Sequence, residues 1–238
     1  AVLDQEQISK IHLCGVSAGG VHVAALAHGL PEAMVGNVCF ICPTCPDDVP
    51  GATAHMACVP RILRHCMGKP YIGDLIAFLI SHWVRPRFFL SQLPDCKAAL
   101  QRADRELPEL SRGFLASFTH GLSFTYRGIV DNAQTITAPP PFDLGELGKL
   151  TSSGHFISIT TSLDDMTNPY IMQQWFQNQI PGSTIMKFID GWGHLHGMPP
   201  DNFKRILVFL MTGQDPDGAL GQPSLLLGSR RDKEHTAK

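Results

Sequence analysis

The stretch Ile11-His12-Leu13-Cys14-Gly15-Val16-Ser17-Ala18-Gly19-Gly20 decides the fold. Its first four residues are an apolar run of strand character, and Gly20-Val21-His22-Val23-Ala24-Ala25-Leu26-Ala27-His28 continues as an alanine-rich helix. G-x-S-x-G at such a junction is a sharp turn that presents a serine hydroxyl at the end of a sheet. The serine backbone there takes a positive φ, so bulky residues two places away are expected to collide with the turn. Gly15 and Gly19 are expected to remove that collision, and Ala18 and Gly20 to let the helix start close to the strand. The helix N-terminus then directs amides and partial positive charge at the space beside the serine. A glycine-rich turn with an ordinary capping serine carries the same letters. The nucleophile reading therefore needs an acid and a histidine downstream, in that order.

The chain supplies both. His155-Phe156-Ile157-Ser158-Ile159-Thr160 reads as a buried strand, and a polar turn ending at Asn168-Pro169 leads to a helix over 168–180. A further strand over 184–189 ends in Asp190-Gly191-Trp192-Gly193-His194-Leu195-His196-Gly197. The order is Ser17, Asp165, His194, with 29 residues from acid to base, room for one helix and one strand. Acid and base thus fall on consecutive strand ends, where open parallel sheets keep their sites. A serine hydroxyl needs a neighbouring base, and the imidazole needs a carboxylate to fix its tautomer. Asp164 is the rival acid next to Asp165, and Asp47 and Asp48 follow another strand at 35–42. Asp165 is preferred for its register with Pro169. His196 reads as a polar residue of the pocket rim, and His12 and His22 as packed or surface histidines.

These pieces together resemble the α/β-hydrolase superfamily, of the monomeric esterase and haloperoxidase-like type. The resemblance rests on Cys14 to Gly20, on the Ser162-Leu163-Asp164-Asp165 turn with Pro169, and on Gly191-Trp192-Gly193-His194. Ser162 stands where the family's acid turn usually has glycine. Pro141-Phe142-Asp143-Leu144-Gly145-Glu146-Leu147 resembles the segment preceding the acid-bearing strand, and the likeness covers about 1–44 and 139–211. It implies an α/β fold, a mostly parallel sheet flanked by helices, with a helical cap insertion. It also implies a serine hydrolase acting on a carboxylic ester or thioester: Ser17 attacks, His194 is the base, Asp165 orients it, and the Ala18 amide serves the oxyanion. No metal or organic cofactor is implied. The alternative is a hydrolase-fold binding or regulatory protein with negligible turnover. Family members also run perhydrolysis, lyase chemistry and acyl transfer on such a triad.

Only about one short helix end, Ala1 to Gln7, stands before the serine-bearing strand. The family normally has several strands and helices there, and takes a second oxyanion amide from a loop among them. The expectation is therefore the C-terminal part of the fold, with a missing N-terminal segment in the full-length protein and one edge of strand 11–14 without a partner.

Four units are expected: hydrolase core over 1–46, helical cap insertion over 47–140, core again over 141–211, and a disordered tail over 212–238. Within the insertion, helices are expected at 75–84, 96–107 and 110–132, the last with Phe114, Phe118 and Leu122 at helical spacing. Phe78, Trp83, Phe88, Phe89, Phe114, Phe118, Phe124 and Tyr126 are candidates to line an apolar pocket, which favours a substrate with an apolar group. The 238 residues carry a net charge of −2 with no basic stripe, which argues against a nucleic-acid partner. The longest apolar run, 75–80, is too short to span a bilayer. Seven cysteines are an odd number, which fits a reducing compartment such as the cytoplasm. The spacing of Cys39, Cys42 and Cys45 invites a metal-cluster reading, but a strand sends residues three apart to opposite faces.

Overall fold

Two runs without a charged residue, Val-Gly-Asn-Val-Cys-Phe-Ile and Ile-Ser-Ile-Thr-Thr-Ser, form the central strands β2 (Val35–Ile41) and β3 (Ile157–Ser162), buried at every position. Burial of both faces is the signature of a parallel strand covered by helices on each side. With β1 (Ile11–Val16) and β4 (Thr184–Phe188) they make a four-stranded, wholly parallel sheet in the order β1-β2-β3-β4. The computed structural model describes residues 2–69, 71–83, 91–124 and 127–213. The expected tail from 214 onward lies outside the described residues.

Strand alternation sorts the core into two layers. Val38 and Phe40 face one side, against Val23, Ala24 and Ala27 of α2 (Gly19–Gly29) and Phe176 of α9 (Tyr170–Gln179). Cys39 and Ile41 face the other, against Ile206, Phe209 and Leu210 of α10 (Pro200–Thr212). Among the described residues, β1 pairs on one side only, with β2. Its outer face is open enough to leave Val16 half exposed.

Because all four strands run in parallel, their carboxyl ends share one edge of the sheet. Ser17 follows β1, Cys42 follows β2, Asp165 lies just past β3, and His194 lies in the loop after β4. A short helix, α1 (Val2–Gln5), precedes β1, and another, α8 (Gly148–Ser152), precedes β3.

Between β2 and β3 the described residues form α3 (Cys58–Met67), α4 (Ile72–Trp83), α5 (Pro94–Glu106), α6 (Pro108–Phe124) and α7 (Arg127–Thr137). They depart from the sequence reading in two places. The periodicity over 110–132 belongs to two helices, since Phe114, Phe118 and Leu122 all sit on α6 and α7 begins at Arg127. α3 had no counterpart, because the face it buries is Pro60, Arg64 and Met67, while Val59 and Ile62 are exposed. None of the helices among the described residues is long and apolar enough to cross a membrane.

Candidate active site

Ser17 has φ 54, a left-handed backbone for a residue with a side chain. The strain is held on both sides. The Ser17 amide donates to the Ile41 carbonyl at 2.8 Å, and the Ser17 carbonyl accepts from the Gly20 amide at 3.0 Å. Gly15 is required here, since a Cβ on it would stand 2.5 Å from the Gly19 oxygen and 2.7 Å from Val23 Cγ2. Gly20 is required for a different contact, with Pro43 Cβ at 2.9 Å. The expected role of Gly19 does not hold, because a Cβ there meets nothing within 4 Å. Ala18 is the residue from which α2 starts, with φ −54 and ψ −30.

The structure brings Ser17, Asp165 and His194 together. His194 Nδ1 lies 2.9 Å from Asp165 Oδ2, and His194 Nε2 lies 3.0 Å from Ser17 Oγ. A carboxylate only accepts, so Nδ1 carries the proton and donates, which leaves Nε2 to accept from the Ser17 hydroxyl. The other carboxylate oxygen, Oδ1, accepts from the amides of Thr167 at 2.8 Å and Asn168 at 2.7 Å. The Asp165 side chain is fully buried and that of His194 is 11% exposed. Burial works against a charged His194, but the Asp165 carboxylate beside Nδ1 opposes it and raises its pKa above the ordinary 6.5.

The remaining sequence candidates fall elsewhere. Asp164 is exposed and accepts from the Ser162 hydroxyl. Asp47 accepts from the Arg64 guanidinium. His22 pairs with Asn132 at 3.0 Å, and His12 Nδ1 accepts from the Asn37 amide at 3.0 Å. His196 is not a rim residue. It is fully buried, its Nδ1 donates to the Gly193 carbonyl at 3.2 Å, and its Nε2 accepts from the Thr160 hydroxyl at 3.0 Å. Burial pushes its pKa down to about 4.

Three residues of the site escaped the sequence reading. Asn168 Nδ2 donates to Ser17 Oγ at 3.3 Å and to the Cys42 carbonyl at 2.8 Å. With a donor on its lone pair, the Ser17 hydroxyl directs its own hydrogen at His194. Gln173 braces Asn168 in turn, donating to its carbonyl at 3.1 Å and to that of Pro43 at 2.8 Å. Cys42 is fully buried, with φ 40, and its thiol donates to the His194 carbonyl at 3.5 Å. Burial pushes its pKa up. Cys42 Sγ, Asp165 and His194 present donor atoms within 4.8 Å of one another, the set that could approach a soft cation. Such an ion would have to break the Asp165–His194 bond.

No family model matches the sequence, and no curated protein matches it. Solved structures do match. They include a thermophilic esterase from Thermogutta terrifontis, 17% identical with a TM-score of 0.56, covering 87% of this chain and 66% of that one. An alpha/beta hydrolase from a Medee basin deep-sea metagenome library is 12% identical with a TM-score of 0.54, covering 90% and 68%. MenH from S. aureus is 16% identical with a TM-score of 0.59, covering 89% and 71%. The fold is that of the α/β-hydrolases. The chain spans about two thirds of the length of those neighbours. At such identities the likeness carries the fold and leaves the chemistry to the residues.

Among the described residues, two clefts reach the site of this α/β-hydrolase fold. One, of about 190 Å³, has Ser17, Thr167 and Asn168 among its lining residues and is walled by side chains of α3 and α7. The other, of about 430 Å³, is lined by His194 with Val16, Ile41, Phe114, Leu195 and Phe203. Of the aromatic pocket candidates, Phe114 lines a cleft and Phe78 is partly exposed. The side chains of Trp83, Phe88, Phe89, Phe118, Phe124 and Tyr126 lie outside the described set. The histidine loop is clamped from above by α5. Trp192 packs on Ala99 and Ala103, and Arg102 stacks 4.6 Å over the Trp192 ring while donating to the Asp190 carbonyl at 2.9 Å.

Proposed function

We propose that this protein is a serine hydrolase that cleaves a carboxylic ester or thioester through an acyl-enzyme. The reading rests on one observation: hydroxyl, imidazole and buried carboxylate stand in a line at 3.0 and 2.9 Å. Ser17 Oγ attacks the carbonyl carbon as its proton passes to His194 Nε2. Asp165 holds the imidazole and stabilises the imidazolium. His194 returns that proton to the departing alkoxide or thiolate. Water, activated by the same imidazole, then releases the acyl group and restores Ser17.

The Ala18 amide, at the start of α2, is the oxyanion donor in this account, helped by the positive end of the helix. The helices between β2 and β3 act as the cap, excluding water from the acyl-enzyme. The substrate is a small molecule with an apolar group, in keeping with the apolar side chains around both clefts.

Labelling with a fluorophosphonate, compared between the wild-type protein and Ser17→Ala, tests the reading. The wild type takes up one label and the variant none. Equal labelling removes Ser17 from the mechanism. A tightly held ester that is never hydrolysed favours a binding protein instead.

A further inference from the structure

The two clefts divide the substrate, and the geometry points to a short, neutral acyl group with no comparable limit on the leaving alcohol. This inference deepens the hydrolase reading and rests on it. In the first step a bond forms between Ser17 Oγ and the acyl carbon, and the bond from that carbon to the alcohol oxygen breaks. The proton taken from Ser17 moves through His194 Nε2 to that oxygen, giving the free alcohol. The leaving group must therefore lie within reach of His194, and the acyl group extends away from it, over Ser17.

Among the described residues, the smaller cleft is lined by Ser17 and not by His194, and the larger by His194 and not by Ser17. The acyl half consequently occupies the cleft of about 190 Å³ walled by Met56, Pro60, Leu63, Leu93 and Ile136. At ~30 Å³ for each water-sized group, that space holds roughly six non-hydrogen atoms, the carbonyl included. A butanoyl group is held within the cleft, and an octanoyl group overruns it.

The charge balance of the described walls disfavours an acid. Arg64 reaches this cleft, but its guanidinium donates to the Asp47 carboxylate, to Thr44 Oγ1 and to the Cys45 carbonyl. Asp47 balances the charge, and the bonds hold the head in the wall. The cleft therefore meets an acyl chain with aliphatic side chains, with the neutral polar groups of Thr44, Thr137, Thr167 and Asn168, and with a cation already paired to Asp47. Among the described residues that line the cleft, an acyl group ending in a second carboxylate finds no uncommitted cation to pair with and loses its water.

The test uses p-nitrophenyl acetate, butanoate and octanoate, and the p-nitrophenyl monoester of succinate, which share one leaving group. Expected is a kcat/KM for octanoate at least about tenfold below that for butanoate, since an overfilled site is strongly disfavoured. The succinate ester falls below butanoate as well. Leu63→Ala and, independently, Ile136→Ala enlarge the cleft and raise the octanoate-to-acetate ratio by about fourfold or more. Octanoate turned over as well as butanoate, or a ratio unmoved in both folded variants, overturns the inference while the hydrolase reading stands. Fluorophosphonate labelling at Ser17 without turnover of any short ester also overturns it. Labelling that ignores Ser17 together with no turnover sinks the hydrolase reading, and the inference with it.

Discussion

Replacing Asp165 with asparagine should cost far more than a charge, because the surrounding bonds dictate which way the new amide faces. Oδ1 accepts two backbone amides, from Thr167 at 2.8 Å and Asn168 at 2.7 Å. Only an oxygen can sit there, so the asparagine NH₂ must take the place of Oδ2, 2.9 Å from His194 Nδ1. It donates to Nδ1, which then has to be the acceptor, and the ring proton moves to Nε2. The Ser17 hydroxyl, 3.0 Å from Nε2, loses the acceptor for its proton. A wrong tautomer of this kind lowers kcat by about 10⁴, or roughly 5 kcal/mol of barrier.

The pH profile carries an independent sign. A protonated His194 cannot act as base, so wild-type kcat/KM rises with pH through a pKa held above 6.5 by Asp165 against burial. In Asp165→Asn burial acts with less opposition, and the rising limb moves to lower pH. Hydrolysis of p-nitrophenyl acetate from about pH 5 to 9 measures both effects. A variant that keeps a tenth of the activity, or whose rising limb stays where it was, refutes the reasoning.

Other expectations follow from single contacts. Asn168→Ala removes the donor to Ser17 Oγ and should lower kcat by about tenfold, the worth of one hydrogen bond, without moving the rising limb; steady-state kinetics across pH checks both parts. Gly15→Ala places a methyl group 2.5 Å from the Gly19 oxygen and should lower stability by about 1–3 kcal/mol, read by urea unfolding, and abolish fluorophosphonate labelling. His196, with a folded pKa near 4 against 6.5 unfolded, binds fewer protons when folded. Its contribution is present above about pH 6.5 and is lost as pH falls towards 4, a difference of about 3 kcal/mol. Urea midpoints of the wild type and His196→Gln should differ in their slope against pH within that window.

The parts legible in the sequence are those where sterics or spacing leave little choice. A strand, a small-residue turn and an alanine-rich helix made the Ser17 elbow readable, because few residues tolerate φ 54 beside a helix. The spacing from Asp165 to Pro169 separated the buried acid from its exposed neighbour Asp164. Asn168 stayed hidden because an asparagine before a proline reads as a turn residue, and its partner Ser17 lies 151 positions away. His196 misled for the same reason. Thr160 and the Gly193 carbonyl give it two bonds in the interior that no local pattern announces. α3 went unseen because it buries an arginine, a face that amphipathic periodicity marks as solvent. Gly19 was given a steric duty that belongs to Gly15 and Gly20 alone.

The most direct test of the central claim is to catch the acyl group on its serine. The protein is mixed with p-nitrophenyl acetate, quenched in acid during turnover, digested and mapped by mass spectrometry. The account predicts a single acetyl group on the peptide carrying Ser17, absent from Ser17→Ala and accumulating in proportion to the burst of p-nitrophenol. Steady hydrolysis with the acetyl group on another residue, or undiminished hydrolysis by Ser17→Ala, would contradict it.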